Sequence, residues 1–141
     1  MKRRYRYGLL AAGILLAAAA MWFRHQQPAA PATLLACADL QQGCGDERQR
    51  LHIRFDGAPH SLQPFGLSIE APQATAVFAS FAMRGMEMGL NRYRLLPQPD
   101  GRWTAEVTLP VCVQRRSDWL MLVEVIETGG ERRYRLEFSA G

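Results

Sequence analysis

From Leu51 onward, apolar and polar residues alternate with a period of two, the spacing of a strand that buries one face. Leu51, Ile53 and Phe55 alternate with His52 and Arg54, and Phe65, Leu67 and Ile69 with Gly66 and Ser68. Tyr93 and Leu95 alternate with Arg92 and Arg94, Trp103 to Leu109 with Arg102 to Thr108, and Tyr134, Leu136 and Phe138 with Arg133, Arg135 and Glu137. Two runs, 74–83 and 119–126, are apolar on both faces, as suits strands central in a sheet or covered on both sides. Asp56-Gly57, Asp100-Gly101 and Gly129-Gly130 mark turns between the runs. About seven short strands with no long helical pattern between them predict an all-β domain, an antiparallel sandwich of immunoglobulin-like outline, with an open barrel as the main competitor.

Ahead of this domain the pattern is different. Met1-Lys2-Arg3-Arg4-Tyr5-Arg6-Tyr7 carries four cations and is followed by Gly8 to Phe23, sixteen residues without a charge. A basic flank before an apolar run defines a signal peptide or a signal anchor. Sixteen helical residues span about 24 Å, and the aromatic rings of Tyr5, Tyr7, Trp22 and Phe23 suit the two interfaces of a bilayer. Ala17 to Ala20 offers the small-residue pattern of a cleavage site, whereas Met21-Trp22-Phe23-Arg24 favours an uncleaved anchor. The reading adopted is a cytoplasmic flank over 1–7 and one transmembrane helix over 8–25. With the cations on the N-terminal side, that helix is single-pass in the inner membrane, with the rest of the chain periplasmic.

Residues 26–36 are rich in proline and alanine and read as a semi-extended linker; residues 37–141 are the expected sandwich domain. Charge sharpens the division. From Gln26 onward there are twelve arginines, no lysine and thirteen carboxylates, one net negative charge, so the basic balance of the whole chain belongs to the anchor. A net charge of this sign argues against a nucleic-acid partner, which requires a cationic face on the folded domain.

Three cysteines lie in what this topology makes an oxidising compartment: Cys37, Cys44 and Cys112. Closing the short loop between Cys37 and Cys44 costs little entropy, which favours that disulfide; Cys44–Cys112 and Cys37–Cys112 are the other pairings. Leu34-Leu35-Ala36-Cys37 also has the form of a lipoprotein box, although it does not directly follow the apolar run.

No nucleophile motif, phosphate loop or paired-carboxylate arrangement is visible, and His52 and His60 stand apart on a polar parity and in a loop. The chain therefore does not read as an enzyme. The distinctive segment is Phe81 to Tyr93, which holds Met83, Met86 and Met88 within six residues, with glycines on either side of Met86-Glu87-Met88. In extended backbone Met86 and Met88 point to the same side, about 7 Å apart at Cα. Thioethers favour soft Cu(I) and are not consumed by disulfide formation, so copper is the cofactor this pair suits. Met83 has the parity of Phe81 and faces away from the pair unless Gly85 re-aims the chain. Cys112, the odd thiol if Cys37 and Cys44 pair, could complete a sulfur site with Met86 and Met88. The competing reading is that the methionines fill the core and Cys112 is a buried structural cysteine.

Met83-Arg84-Gly85-Met86-Glu87-Met88-Gly89-Leu90-Asn91-Arg92-Tyr93, then Asp100-Gly101-Arg102-Trp103, Leu109-Pro110-Val111-Cys112 and Asp118-Trp119, resemble FixH-like and YtkA-like extracytoplasmic domains. The resemblance covers about Phe81 to Val125. It implies a small β-sandwich on an N-terminal anchor, associated with copper-dependent oxidase assembly or periplasmic metal handling. Two functions follow as expectations: a membrane-tethered protein that binds or delivers copper, or a metal-free protein-binding module that assists assembly of a membrane complex. The bilayer and a membrane-protein partner are the partners expected in either case.

Overall fold

The computed structural model describes residues 13, 15, 16, 19, 21, 22, 31–46, 48, 50–86, 91–111 and 116–141. Their strands, in chain order, are β1 (Thr33–Leu34), β2 (Cys44–Gly45), β3 (His52–Asp56), β4 (Pro64–Glu70) and β5 (Ala74–Met83). They continue with β6 (Arg92–Arg94), β7 (Leu96–Pro97), β8 (Arg102–Thr108), β9 (Asp118–Glu127) and β10 (Gly130–Ser139). Two five-stranded sheets result, ordered β1-β10-β9-β5-β6 and β2-β3-β4-β8-β7. All named pairs are antiparallel except β1 with β10. The seven segments of period-two or doubly apolar pattern each form a strand, and the remaining three strands are two residues long.

Alternation decides which side chains meet between the sheets. Ile53 and Phe55, Phe65, Leu67 and Ile69, and Val107 turn inward from one sheet; Val77, Ala79 and Phe81, Met121, Val123 and Val125, and Tyr134 and Leu136 turn inward from the other. At one end the core is aromatic: Phe65 and Phe81 meet across the sheets with centroids 6.4 Å apart, and Phe138 lies 5.3 Å from Phe55 and 6.2 Å from Phe81. Edge-to-face geometry adds about 0.5–1.5 kcal/mol per pair beyond the area these rings bury.

Cys37 and Cys44 are joined, with Cα atoms 5.6 Å apart. Their loop tucks Leu40 into the core, and the Leu40 carbonyl accepts the Phe55 N–H at 2.8 Å. A bridged Cys37 sulfur is not available for the thioether of a lipoprotein. Folded structure begins within the segment read as linker: Thr33 and Leu34 pair with Tyr134 and Arg135, and Leu35 is buried. Two residues carry no readable periodicity, and this pairing depends on β10 being already in place.

Just after the disulfide, Asp46 organises a tight turn. Its Oδ1 accepts the N–H of Arg50 at 2.6 Å and of Leu51 at 3.1 Å, and its Oδ2 accepts Nε of Arg50 at 3.1 Å. Burial opposes the charge, but these donors and the Arg50 guanidinium outweigh it and hold the carboxyl below the ordinary carboxylate range. A depressed folded value means that this stabilisation is complete above the ordinary range and is lost as pH falls through the folded value. Protection factors at the Arg50 and Leu51 amides, the intrinsic exchange rate over the observed one at each pH, are therefore expected to fall in acid, and Asp46→Ala to cost about 1–2 kcal/mol at neutral pH and to abolish that acid response. Exchange rates followed across pH in the wild type and the variant check both parts.

Gly13, Leu15, Leu16, Ala19, Met21 and Trp22 are helical. Among the described residues no helix is long and apolar enough to cross a membrane; most of the 8–25 segment lies outside them.

Candidate metal centre at one end of the sandwich

Four strand ends meet at the aromatic end of the fold. Met83 closes β5 and pairs with Trp119, near the start of β9; Trp119 in turn pairs with Phe138, near the end of β10. The end of β8 arrives from the other sheet, where the Thr108 carbonyl accepts the Tyr93 hydroxyl at 2.9 Å, and Tyr93 pairs with Ala79 of β5. The 84–91 segment leaves β5 here, and the 110–117 segment runs from β8 to β9 at the same end. Topology therefore starts and ends two segments that are far apart in sequence at the same end of the fold.

The first loop opens with a tight turn over Met83-Arg84-Gly85-Met86, in which Met83 O accepts the Met86 N–H at 3.2 Å. Gly85 has φ +72°, the left-handed conformation that a turn of this kind needs at its third position. The turn makes Met83 and Met86 antiparallel bridge partners, so their side chains share a side. Gly85 thus re-aims the chain through a reversal rather than a bulge. A Cβ at Gly85 would meet nothing within 4 Å, so Gly85→Ala carries only the conformational cost, expected at about 1–2 kcal/mol. Urea unfolding should show a lower midpoint at unchanged slope.

Met83 is 1% exposed and Met121 is fully buried, so both thioethers are used in packing. Met86 is half-buried and lies against the core from above. Met88 and Cys112 lie outside the described residues. The residues that flank them are placed: Asn91 O accepts the Phe81 N–H at 2.9 Å, and Val111, just before Cys112, is 55% exposed at the rim.

Two of the carboxylates around this rim are paired with arginines. Arg84 bonds Glu137, and Arg116 Nε bonds Asp118 Oδ1 at 2.8 Å. The Arg116 hydrogen bond holds the Asp118 carboxyl below its ordinary range. Carboxylates already matched to guanidinium groups offer little to a hard divalent cation, whereas neutral sulfur suits a soft monovalent one. No group of three or more His, Cys, Asp or Glu side chains is placed to hold a metal among the described residues. His52 is exposed beside Gly43 of the disulfide loop, at the end away from the rim, whereas His60 is exposed beside Gly141 in the β3–β4 loop, which bonds the ends of β8 and β10 at the rim end.

Sequence reasoning missed Trp119, which underlies the rim at 1% exposure with its Nε1 lacking a hydrogen-bond partner among the described residues. Its place in a doubly apolar run gave no sign of which face was inward. A cleft of about 610 Å³ lies at the opposite end, lined by Glu70, Ala71, Pro97, Asp100, Arg102 and Trp103. Of the four segments that carry the family resemblance, the described parts of three, Met83 to Met86 with Asn91 to Tyr93, Leu109 to Val111, and Asp118-Trp119, lie at the rim end, and Asp100 to Trp103 lies at the cleft end.

No family model matches this chain, and no curated protein matches it. One solved structure does, the crystal structure of an engineered protein from the Northeast Structural Genomics Consortium, at 16% identity and a TM-score of 0.47. The match covers 66% of this chain and 20% of that one, so this chain corresponds to about a fifth of the engineered protein. Such a likeness bears neither on function nor on the details of the fold.

Proposed function

We propose that this chain is a membrane-tethered periplasmic protein that binds or delivers Cu(I) at the rim of its sandwich, in support of respiratory oxidase assembly. The observation that carries this reading is that Met86, Asn91, Val111 and Arg116, the described residues nearest Met88 and Cys112 in the chain, all lie on or beside strand ends at one end of the fold. Pairing of Cys37 with Cys44 leaves Cys112 as the third cysteine. Two thioethers and a thiolate form a soft ligand set of the kind that selects Cu(I). Met83, buried in the core, is given a packing role rather than a ligand role.

Other features support the setting. The strand orders β3-β4-β8-β7 and β10-β9-β5 follow the ABED and GFC sheets of an immunoglobulin-like sandwich, the outline that the FixH-like and YtkA-like resemblance implies. Leu15, Leu16, Met21 and Trp22, all helical, are 67–76% exposed, and lipid would cover them. The basic flank places the N-terminus in the cytoplasm and the sandwich outside.

The test is anaerobic titration of the full chain in detergent with Cu(I) against a competing chelator. One tight equivalent per chain is expected. Transfer of all the copper to the chelator would contradict the proposal.

A further inference from the structure

We infer that the outer face of the β1-β10-β9-β5-β6 sheet is a docking surface for the anionic lipid bilayer that carries the chain's own anchor. In an antiparallel sandwich the outer face of a sheet is normally polar. Here its two longest central strands depart from that rule, because Ala76, Phe78 and Ala82 of β5 and Leu120, Leu122 and Ile126 of β9 all point outward. No second layer covers them among the described residues. The opposite sheet behaves conventionally, presenting His52, Arg54, Thr104, Glu106 and Thr108 along β3 and β8.

Charge selects the occupant. Among the described residues six arginines reach the apolar face or its edge, Arg84, Arg92, Arg94, Arg116, Arg133 and Arg135, against four carboxylates, Asp118, Glu124, Glu131 and Glu137. Glu124 is shared by Arg92 at 2.9 Å and Arg133 at 3.6 Å, and Glu137 by Arg84 and Arg135. Glu131 also lies 3.5 Å from Arg133, yet the guanidinium groups outnumber the carboxylates they meet, so this face keeps a positive balance for an external anion to match. The outer face of the other sheet has the reverse balance, with Arg54 and Arg102 against Asp56, Glu70, Asp100 and Glu106. A domain that is nearly neutral as a whole is therefore polarised across its thickness.

The layout matches an interfacial surface. Arginines stand on the flanking strands β6 and β10 with the apolar strip between them, so that their heads can reach phosphates while leucine, isoleucine and phenylalanine meet acyl chains. Arg92 already lies over the Phe78 ring at 4.0 Å, its stem along the strip. The chain enters at the edge of this same face: Leu34, 65% exposed, pairs with Arg135 and shares its side of the sheet. The proline-rich residues between Phe23 and Leu34 reach only about 30 Å, which confines the domain to the membrane surface. Tethering at that range makes a weak surface contact sufficient. Lying on this face would put the sulfur-bearing rim level with the bilayer, within reach of a membrane-embedded acceptor.

The inference rests on the anchored reading, and the test separates the two. Full chain is reconstituted in nanodiscs of phosphatidylcholine alone or rich in phosphatidylglycerol, each doped with a gadolinium-chelating lipid, and amide relaxation is read by NMR. In phosphatidylglycerol discs, broadening is expected at β5, β9 and β10 and not at β3, β4 and β8. The asymmetry is expected to be lost in phosphatidylcholine discs and in Arg94→Glu/Arg135→Glu, and to survive in Arg54→Glu. Broadening that ignores the sheet, persists equally in neutral discs or survives the double charge reversal would overturn the inference. So would protection of this face that only an added membrane-protein extract restores. Failure of the chain to travel with phosphatidylcholine discs would remove the anchor alone, because the pattern in anionic discs would still decide the face.

Discussion

The Met86→Leu/Met88→Leu double variant is expected to lose Cu(I) affinity by on the order of a hundredfold or more, since even residues one shell removed from a metal change affinity 10–100-fold. Leucine preserves the apolar bulk of methionine and removes only the sulfur, so folding should hardly change. Met86 already packs on the core from the rim, and a leucine there keeps that contact. The informative controls are Met83→Leu and Met121→Leu, whose side chains are 1% and 0% exposed. Both should cost under about 1.5 kcal/mol of stability and leave Cu(I) affinity unchanged. Competition titration of the four proteins reads the pattern. Equal losses in all of them would point to a general effect on folding, and no loss in the double variant would remove the two methionines from the site.

Trp119→Ala should produce the largest stability loss, about 3–5 kcal/mol for an aromatic removed from a core. The ring is 1% exposed and joins β5 to β10 through its register partners Met83 and Phe138. For a domain with ordinary stability of about 5–15 kcal/mol this is a large share, visible as a melting-point drop of at least on the order of 10 °C. Trp119→Phe should cost much less. The smaller ring leaves some space, but it also removes an indole N–H that is buried without a partner among the described residues, a group whose burial costs about 1–3 kcal/mol. Thermal unfolding of the two variants side by side checks the contrast.

How far these features could be read without coordinates varied with the range of the interaction. Strands with strict alternation, such as Leu51 to Phe55 and Trp103 to Leu109, were legible because period two is a local property. The Cys37–Cys44 bridge was legible for the same reason, being a short-range closure. The Thr33–Leu34 strand was not, since it is extended only because Arg135 and Tyr134 lie beside it. The inward parity of Met83 followed from Phe81, but the reversal at Gly85 did not, because a glycine in a strand pattern is equally compatible with a bulge and a turn. That the 84–91 and 110–117 segments leave from the same end of the fold required the order of the sheets. The doubly apolar runs of β5 and β9 were visible as such, and only the structure separated their buried faces from the outward strip of Phe78, Leu120, Leu122 and Ile126.

The rim account stands or falls on which atoms surround the copper. X-ray absorption spectroscopy at the copper edge, on full chain loaded anaerobically with one equivalent of Cu(I), reads this directly. A first shell made of sulfur alone, losing scatterers in the Met86→Leu/Met88→Leu variant, is the predicted result. A shell of nitrogen or oxygen, or a sulfur shell unchanged in that variant, would contradict it.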